Sequence, residues 1–136
     1  GSIQSIYVSN LTPNSDRSVL FLTLEQKTEY IIPNNPYSGS RSVVAYRLIY
    51  CKLKGSYLSF VQVVDTYEQN PIVYLTKNGM FIGTTFSSYS YIKSIFLYKY
   101  QSDISKFELH NTFWNFKNYL NKIYVSEDAS MVVGSS

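Results

Sequence analysis

The side chains that could act as acids, bases, nucleophiles or metal ligands are few in this chain, and their spacing sets none against another. The nine carboxylates (Asp16, Glu25, Glu29, Asp65, Glu68, Asp103, Glu108, Glu127 and Asp128) are scattered, and only Glu127-Asp128 are adjacent. Neighbours on an extended chain point to opposite sides, so a solvated loop accounts for that pair better than a glycosidase's paired carboxylates do. Cys51 is the one cysteine and His110 the one histidine. A single thiol closes no intrachain disulfide, and one cysteine with one distant histidine does not make a zinc site of the usual kind. Cys51 falls inside an alternating pattern, where a small buried core residue is a simpler reading than a nucleophile. No Gly-rich phosphate loop, G-x-S-x-G elbow or H-E-x-x-H pair occurs. The residues offer no catalytic set, no metal site and no cofactor site, and the chain reads as a binding protein, not an enzyme.

Binding chemistry is better supplied. Fourteen of the 136 residues are tyrosine. Tyrosine suits a pleated, half-buried surface and gives a binding face a rigid apolar plate with a polar tip. Tyr46, Tyr50, Tyr57 and Tyr98 read as core and cross-strand packing. Tyr89 and Tyr91, near a loop, could stack on a sugar or a nucleobase. A nucleic-acid groove would interleave its aromatics with more Lys and Arg than a net charge of +3 provides. Lys52 and Lys54 come nearest to a basic cluster, and a solvated strand end beside a turn explains them. The balance points to a neutral or singly charged partner and away from nucleic acid.

The elements that must position these residues are mostly strands. Gly1-Ser2 reads as an expression scar, with no signal peptide after it, and 3–136 as a single domain, β-rich over 3–100. No apolar run approaches the roughly 20 residues that span a bilayer. Ser5–Ser9 is a short strand candidate, and Asn10 to Arg17 is turn chemistry. Val19–Leu24 and Thr28–Ile32 read as strands, and PNNPYSG (33–39) breaks the chain. Ser42–Leu53 alternates, with Val44, Tyr46, Leu48 and Tyr50 on one face and Val43, Ala45, Arg47, Ile49 and Cys51 on the other. A turn at Lys54-Gly55 leads into Ser56–Asp65 as a long hairpin. Asn78-Gly79, between Pro71–Lys77 and Met80–Thr85, is the strongest hairpin signal. Ser90–Tyr100 alternates again. The period then changes. Phe113, Phe116 and Leu120 fall at i, i+3 and i+7 of Thr112–Lys122, with Trp114 on the flank and Asn111 or Thr112 as N-cap. This spacing predicts a helix over about 112–122, followed by short end strands at Ile123–Val125 and Ser130–Val133.

Three stretches, taken in order, resemble a known family. Asn14-Ser15-Asp16-Arg17 runs straight into an apolar strand ending at Glu25 (NSDRSVLFLTLE). Gly55-Ser56-Tyr57 follows a long strand. Pro71–Ile82 (PIVYLTKNGMFI) is closed by Thr84-Thr85 and a Ser/Tyr-rich segment. In this order and spacing they resemble the receptor-binding head of the rotavirus outer-capsid spike protein, the fragment that trypsin releases. The resemblance covers roughly Asn14 to Tyr100. Ser18 stands where members often carry Trp, and Phe86-Ser87-Ser88-Tyr89-Ser90 replaces the usual Lys-Tyr-Tyr-Ser segment, departures that point to a divergent rotavirus species. The resemblance implies a non-enzymatic, cofactor-free, lectin-like head on the virion outer capsid, made in the infected host cell. Its partners would be a host cell-surface glycan or protein receptor and the remainder of the spike, stalk and base. Arg17 occupies the place of the arginine that helps hold the sugar in sialoside-binding members, and a guanidinium fork can grip a carboxylate bidentately. Tyr89, Ser90 and Tyr91 complete the candidate glycan contacts.

For the architecture, the helix is decisive. Its apolar face needs a partner larger than a sheet edge, so the expected fold is mainly β: a twisted antiparallel sheet packed around one C-terminal α-helix. Phe113, Trp114, Phe116 and Leu120 would form the core of that helix face. The alternative is a galectin-like β-sandwich with an added helix. Two other functions compete with attachment. A β-trefoil, cytokine-like signalling protein needs three similar units of about 40–45 residues, which are not found. A small single-strand nucleic-acid binder predicts salt-sensitive binding, against which the modest charge argues.

Overall fold

A computed structural model describes residues 2–30, 41–87, 93–114 and 120–135. Among these residues there is no helix. Strands β1 (Ser2–Pro13), β2 (Val19–Tyr30), β3 (Arg41–Lys54) and β4 (Tyr57–Tyr67) form one sheet in that order. Strands β5 (Val73–Leu75), β6 (Phe81–Ser87), β7 (Lys93–Gln101) and β8 (Lys106–Phe113) form a second, and β9 (Lys122–Val125) with β10 (Val132–Ser135) a separate hairpin. Every pairing is antiparallel between sequence neighbours.

The two sheets face each other across an aromatic core. Phe21, Leu48, Tyr50 and Tyr67 from the first meet Leu75, Ile82, Tyr98 and Phe107 from the second. The expected alternation of β3 holds, since Phe21 of β2 pairs with Tyr50 and Thr23 with Leu48, one inward row. Phe107 packs edge-on against Tyr50 (4.9 Å between centroids) and Phe21 (5.0 Å). Edges β1 and β4 lie beside β5 and β8. Gln62 of β4 accepts the Phe107 N–H and donates to the Phe107 carbonyl, both at 2.8 Å, and so satisfies backbone groups on an edge strand. Buried hydroxyls find partners too. Tyr67 Oη is 2.8 Å from Thr84 Oγ1, and Tyr98 donates to the Asp65 carboxylate. Burial pushes the Tyr67 phenol up to about 12 and raises that of Tyr98 as well.

This architecture overturns the twisted sheet around a C-terminal helix. Thr112 and Phe113 continue β8 and pair with Phe96 and Ile95. Trp114 leaves the strand 55 % exposed, and Leu120 precedes β9. Phe116 lies outside the described residues. Two physical reasons account for the error. Asn111, Asn115, Asn118 and Asn121 are poor helix formers, whereas Thr-Phe suits a ladder. The inward faces of the two sheets also fill each other, which leaves no concave face in need of a helix. The two-sheet alternative fits, without its added helix among the described residues.

Smaller boundaries moved as well. β1 runs through Asn10–Pro13, read from sequence as turn, and β2 is continuous to Tyr30 where two strands were expected. The short end strands occur as β9 and β10. Their hairpin covers the outer face of the second sheet, where Val125 joins Phe81 and Leu97, with Phe113 packed against them. Gly83 permits that approach, because a Cβ there would stand 3.0 Å from Val125 Cγ2.

Candidate functional site

Three hairpin turns share one construction. They join β1 to β2, β5 to β6 and β9 to β10. In each, the first side chain accepts the N–H five places on: Asn14 from Val19 (3.0 Å), Thr76 from Phe81 (3.1 Å) and Ser126 from Met131 (2.9 Å). The Asx residue two places on accepts the N–H two beyond itself: Asp16 from Ser18 (2.9 Å), Asn78 from Met80 (3.0 Å) and Asp128 from Ser130 (3.0 Å). The intervening residue has positive φ: Arg17 (62°), Gly79 (74°) and Ala129 (58°). Bonds from the hydroxyls and N–H groups of Ser18 and Ser130 hold the Asp16 and Asp128 carboxyls below the ordinary value of 3.8. Asn78-Gly79 therefore makes the expected hairpin by a longer turn, with positive φ at Gly79 alone.

The turns dock on one another. The Ser15 N–H and hydroxyl both donate to the Lys77 carbonyl, at 3.2 and 2.9 Å. From the other side the Glu127 carboxylate accepts the N–H groups of Lys77 (2.8 Å) and Asn78 (3.0 Å). Gly79 sits so close to the first turn that a Cβ would lie 2.9 Å from Asn14 Nδ2.

Beside this cluster the sandwich opens into a cleft of about 290 Å³. Its walls include Ser18, Lys52, Lys54, Asn78, Met80 and Tyr100, with buried Tyr50 among the lining residues. Tyr100 stands edge-on to Tyr50 at 6.3 Å. Lys52 and Lys54 are in phase with Tyr50 on the inward row of β3, and both line the cleft at the end of that row. Tyr57 pairs with Lys54 but is 79 % exposed, contrary to its expected core role, while Tyr46, Tyr50 and Tyr98 pack in or against the core.

Arg17 faces a different space. Its turn separates the tyrosine-walled cleft from an apolar one of about 360 Å³ on the outer side of the first sheet, lined by Leu11, Pro13, Leu20, Leu53 and Arg17 itself. Among the described residues the one ion pair is Lys27–Glu29 (3.0 Å). Asp16 is held by Ser18, and Glu25 accepts the Tyr46 hydroxyl at 2.9 Å. Tyr89, Ser90 and Tyr91 lie outside the described residues. Sequence reasoning read Lys52 and Lys54 as a solvated strand end and Asn78 as a turn residue, and gave Tyr100 no binding role. The phase of Lys52 and Lys54 with Tyr50 was a signal that they belong to the inward row.

No protein-family model, curated protein or solved structure matches this chain. Among the described residues, no three His, Cys, Asp or Glu side chains converge as metal ligands, and no helix is long and apolar enough to cross a membrane. The cleft is lined by two tyrosines, two lysines and an asparagine. Such a set can bind a hydroxylated ring, and an anionic substituent on it.

Proposed function

We propose that the chain is a viral attachment head, the distal, non-enzymatic tip of a rotavirus-type outer-capsid spike. It recognises a host cell-surface glycan, or a protein receptor in its place, before entry. The remainder of the spike is its second partner, and the virion surface its location. One observation carries the reading: the cleft at the open end of the sandwich, where Tyr100, Lys52, Lys54 and Asn78 line a space of sugar-ring size. A tyrosine ring can pack on the apolar face of a sugar, and lysine ammonium donors can take its hydroxyls and any carboxylate. The two-sheet architecture agrees with the galectin-like sandwich that stood as the alternative fold for such a lectin-like head. Two four-stranded sheets and a hairpin also lack the threefold repeat of a trefoil cytokine.

A multivalent glycan array tests the reading, with the wild type beside Arg17→Ala and Lys52→Ala. The expected result is binding to a defined glycan that weakens at least about tenfold, or 1.4 kcal/mol, in Lys52→Ala. If Arg17→Ala alone abolishes binding, the sugar lies over the outer cleft. Absence of glycan binding by the folded protein, with salt-sensitive capture of single-stranded oligonucleotides instead, would replace attachment with nucleic-acid binding.

A further inference from the structure

The two sheets differ in what covers their outer faces. The β9–β10 hairpin lies over the second sheet. Over the first, among the described residues, lies nothing, although its outer face is as apolar as a core. Two complete rows cross its four strands: Leu11–Leu22–Ile49–Val63 and Pro13–Leu20–Cys51–Phe60. Leu53 and Leu58 flank them at one end, Val8 and Leu24 at the other. Leu22, Ile49 and Cys51 are buried beneath these neighbours, and burial pushes the Cys51 thiol up to about 11. Val8, Leu11, Leu53, Leu58, Phe60 and Val63, by contrast, each leave 40 to 64 % of their surface in solvent.

We infer that this face is the contact of a twofold dimer, in which a second copy of the chain lays the same face against it. Three observations select that occupant. The first is area. The face exposes on the order of 600 Å² of apolar side chain, near the top of what monomers leave open. Two copies would bury about 1,200 Å², the threshold of a specific interface. The second is charge. The two rows carry no ionised group. Arg47 lies at the margin with its Nη1 bonded to Gln26 Oε1 (2.5 Å), and Arg17 is at the rim. The two arginines lie at opposite ends of the face, Arg47 beside Leu24 and Arg17 beside Leu20 and Leu53, so a contact centred on Leu22 and Ile49 has no charge to bury unpaired. An acidic partner would find its cations only at the edge. The third is shape. A four-stranded face meets a copy with equal width and the same twist, and a twofold contact requires one self-complementary patch.

The dimer is independent of which ligand fills the tyrosine-walled cleft. Sedimentation equilibrium of the 136-residue chain over about 5–500 µM tests it, and the expected result is a reversible dimer of micromolar Kd. Phe60→Lys and Leu11→Lys, on two different strands, each place a charge on a side chain already more than half exposed, so the fold is retained; circular dichroism checks this. Each should weaken the dimer at least about 30-fold, since central apolar anchors dominate such contacts. Met131→Lys, on the β9–β10 turn, should leave it unchanged. A wild type that stays monomeric over the whole range overturns the inference, as does a dimer indifferent to both face substitutions. A monomer that floats with phosphatidylcholine vesicles would also overturn it and assign the face to a lipid surface.

Discussion

Replacing Phe107 and Trp114 by alanine separates the sandwich from the helix-filled sheet that the sequence pattern favours. Phe107 is 2 % exposed and meets three rings, Tyr50 at 4.9 Å, Phe21 at 5.0 Å and Tyr100 at 5.4 Å. It sits where the two sheets touch, so its neighbours cannot collapse into the space it leaves. Transfer and cavity costs together put Phe107→Ala at about 3–5 kcal/mol. Among the described residues Trp114 makes one edge contact, to Phe96 at 6.0 Å, and more than half of it is solvated. Its truncation should cost about 1 kcal/mol, from lost area alone. In a helix clasped by a concave sheet, Trp114 would instead share the core with Phe113, and its loss would rival that of Phe107. Urea unfolding followed by far-ultraviolet circular dichroism reads the difference. With a slope of about 2 kcal/mol per molar, Phe107→Ala lowers the midpoint by roughly 2 M and Trp114→Ala by about 0.5 M at unchanged slope. Equal losses, or a larger one at Trp114, would refute the reasoning.

The shared turn construction predicts two opposite glycine effects. Gly79→Ala should cost about 1–3 kcal/mol, from its positive φ and the Asn14 contact, whereas Ala129→Gly should gain up to about 1 kcal/mol and raise Tm by a few degrees. Glu127→Ala removes the acceptor for two turn N–H groups. It should lower stability by about 1 kcal/mol and weaken any ligand of the neighbouring cleft, read by urea unfolding and titration. The last concerns alkaline pH. Unfolded tyrosine ionises near pH 10, while buried Tyr67 holds its proton to about 12. The native state then binds more protons than the unfolded one, so stability is full below about pH 10 and falls as pH rises beyond it. Tyr67→Phe should flatten that fall in unfolding series between about pH 10 and 12, and an unchanged slope would count against the buried phenol as its cause.

The strands were legible wherever one face is buried, because alternation then records burial directly. Val44, Tyr46, Leu48 and Tyr50 were read as one face of β3, and Leu48 and Tyr50, with Tyr46 packed against them, place that face in the core. The extended strand through Asn10–Pro13 was not legible, since Asn, Thr and Pro signal turns locally while the ladder to β2 is a tertiary effect. The helix failed for a related reason. Three apolar residues at helical spacing among four asparagines are a weak signal, and pairing with β7 claims Thr112 and Phe113. The site was half legible. The turn Asn14–Arg17 stood out, but which cleft Arg17 would face depends on the positive φ at that residue, which the sequence does not encode through glycine. Lys52 and Lys54 read from sequence as a solvated strand end, and Lys54 is exposed while Lys52 is half-buried. Their phase with Tyr50 places them at a cleft that exists only once a second sheet closes over the first.

The construction of the cleft determines how its role can be dissected. Tyr50 belongs to the cleft and to the core at once, with Phe21 and Phe107 packed against it. A substitution there changes stability together with any binding and cannot separate the two. Asn78 is nearly as entangled, because its side chain accepts from Met80 and Thr76 and donates to Glu127. Lys52, Lys54 and Tyr100 are the groups that can be altered without dismantling the turns. The turns cost the ligand little to use. Their N–H groups are bonded to side chains before any ligand arrives, so the cleft is ordered in advance and less of the binding free energy goes to ordering it. If two heads pair through their first sheets, two such clefts are held at a fixed separation. A receptor displayed densely on a cell surface would then engage both, and weak single-site affinity would suffice for attachment.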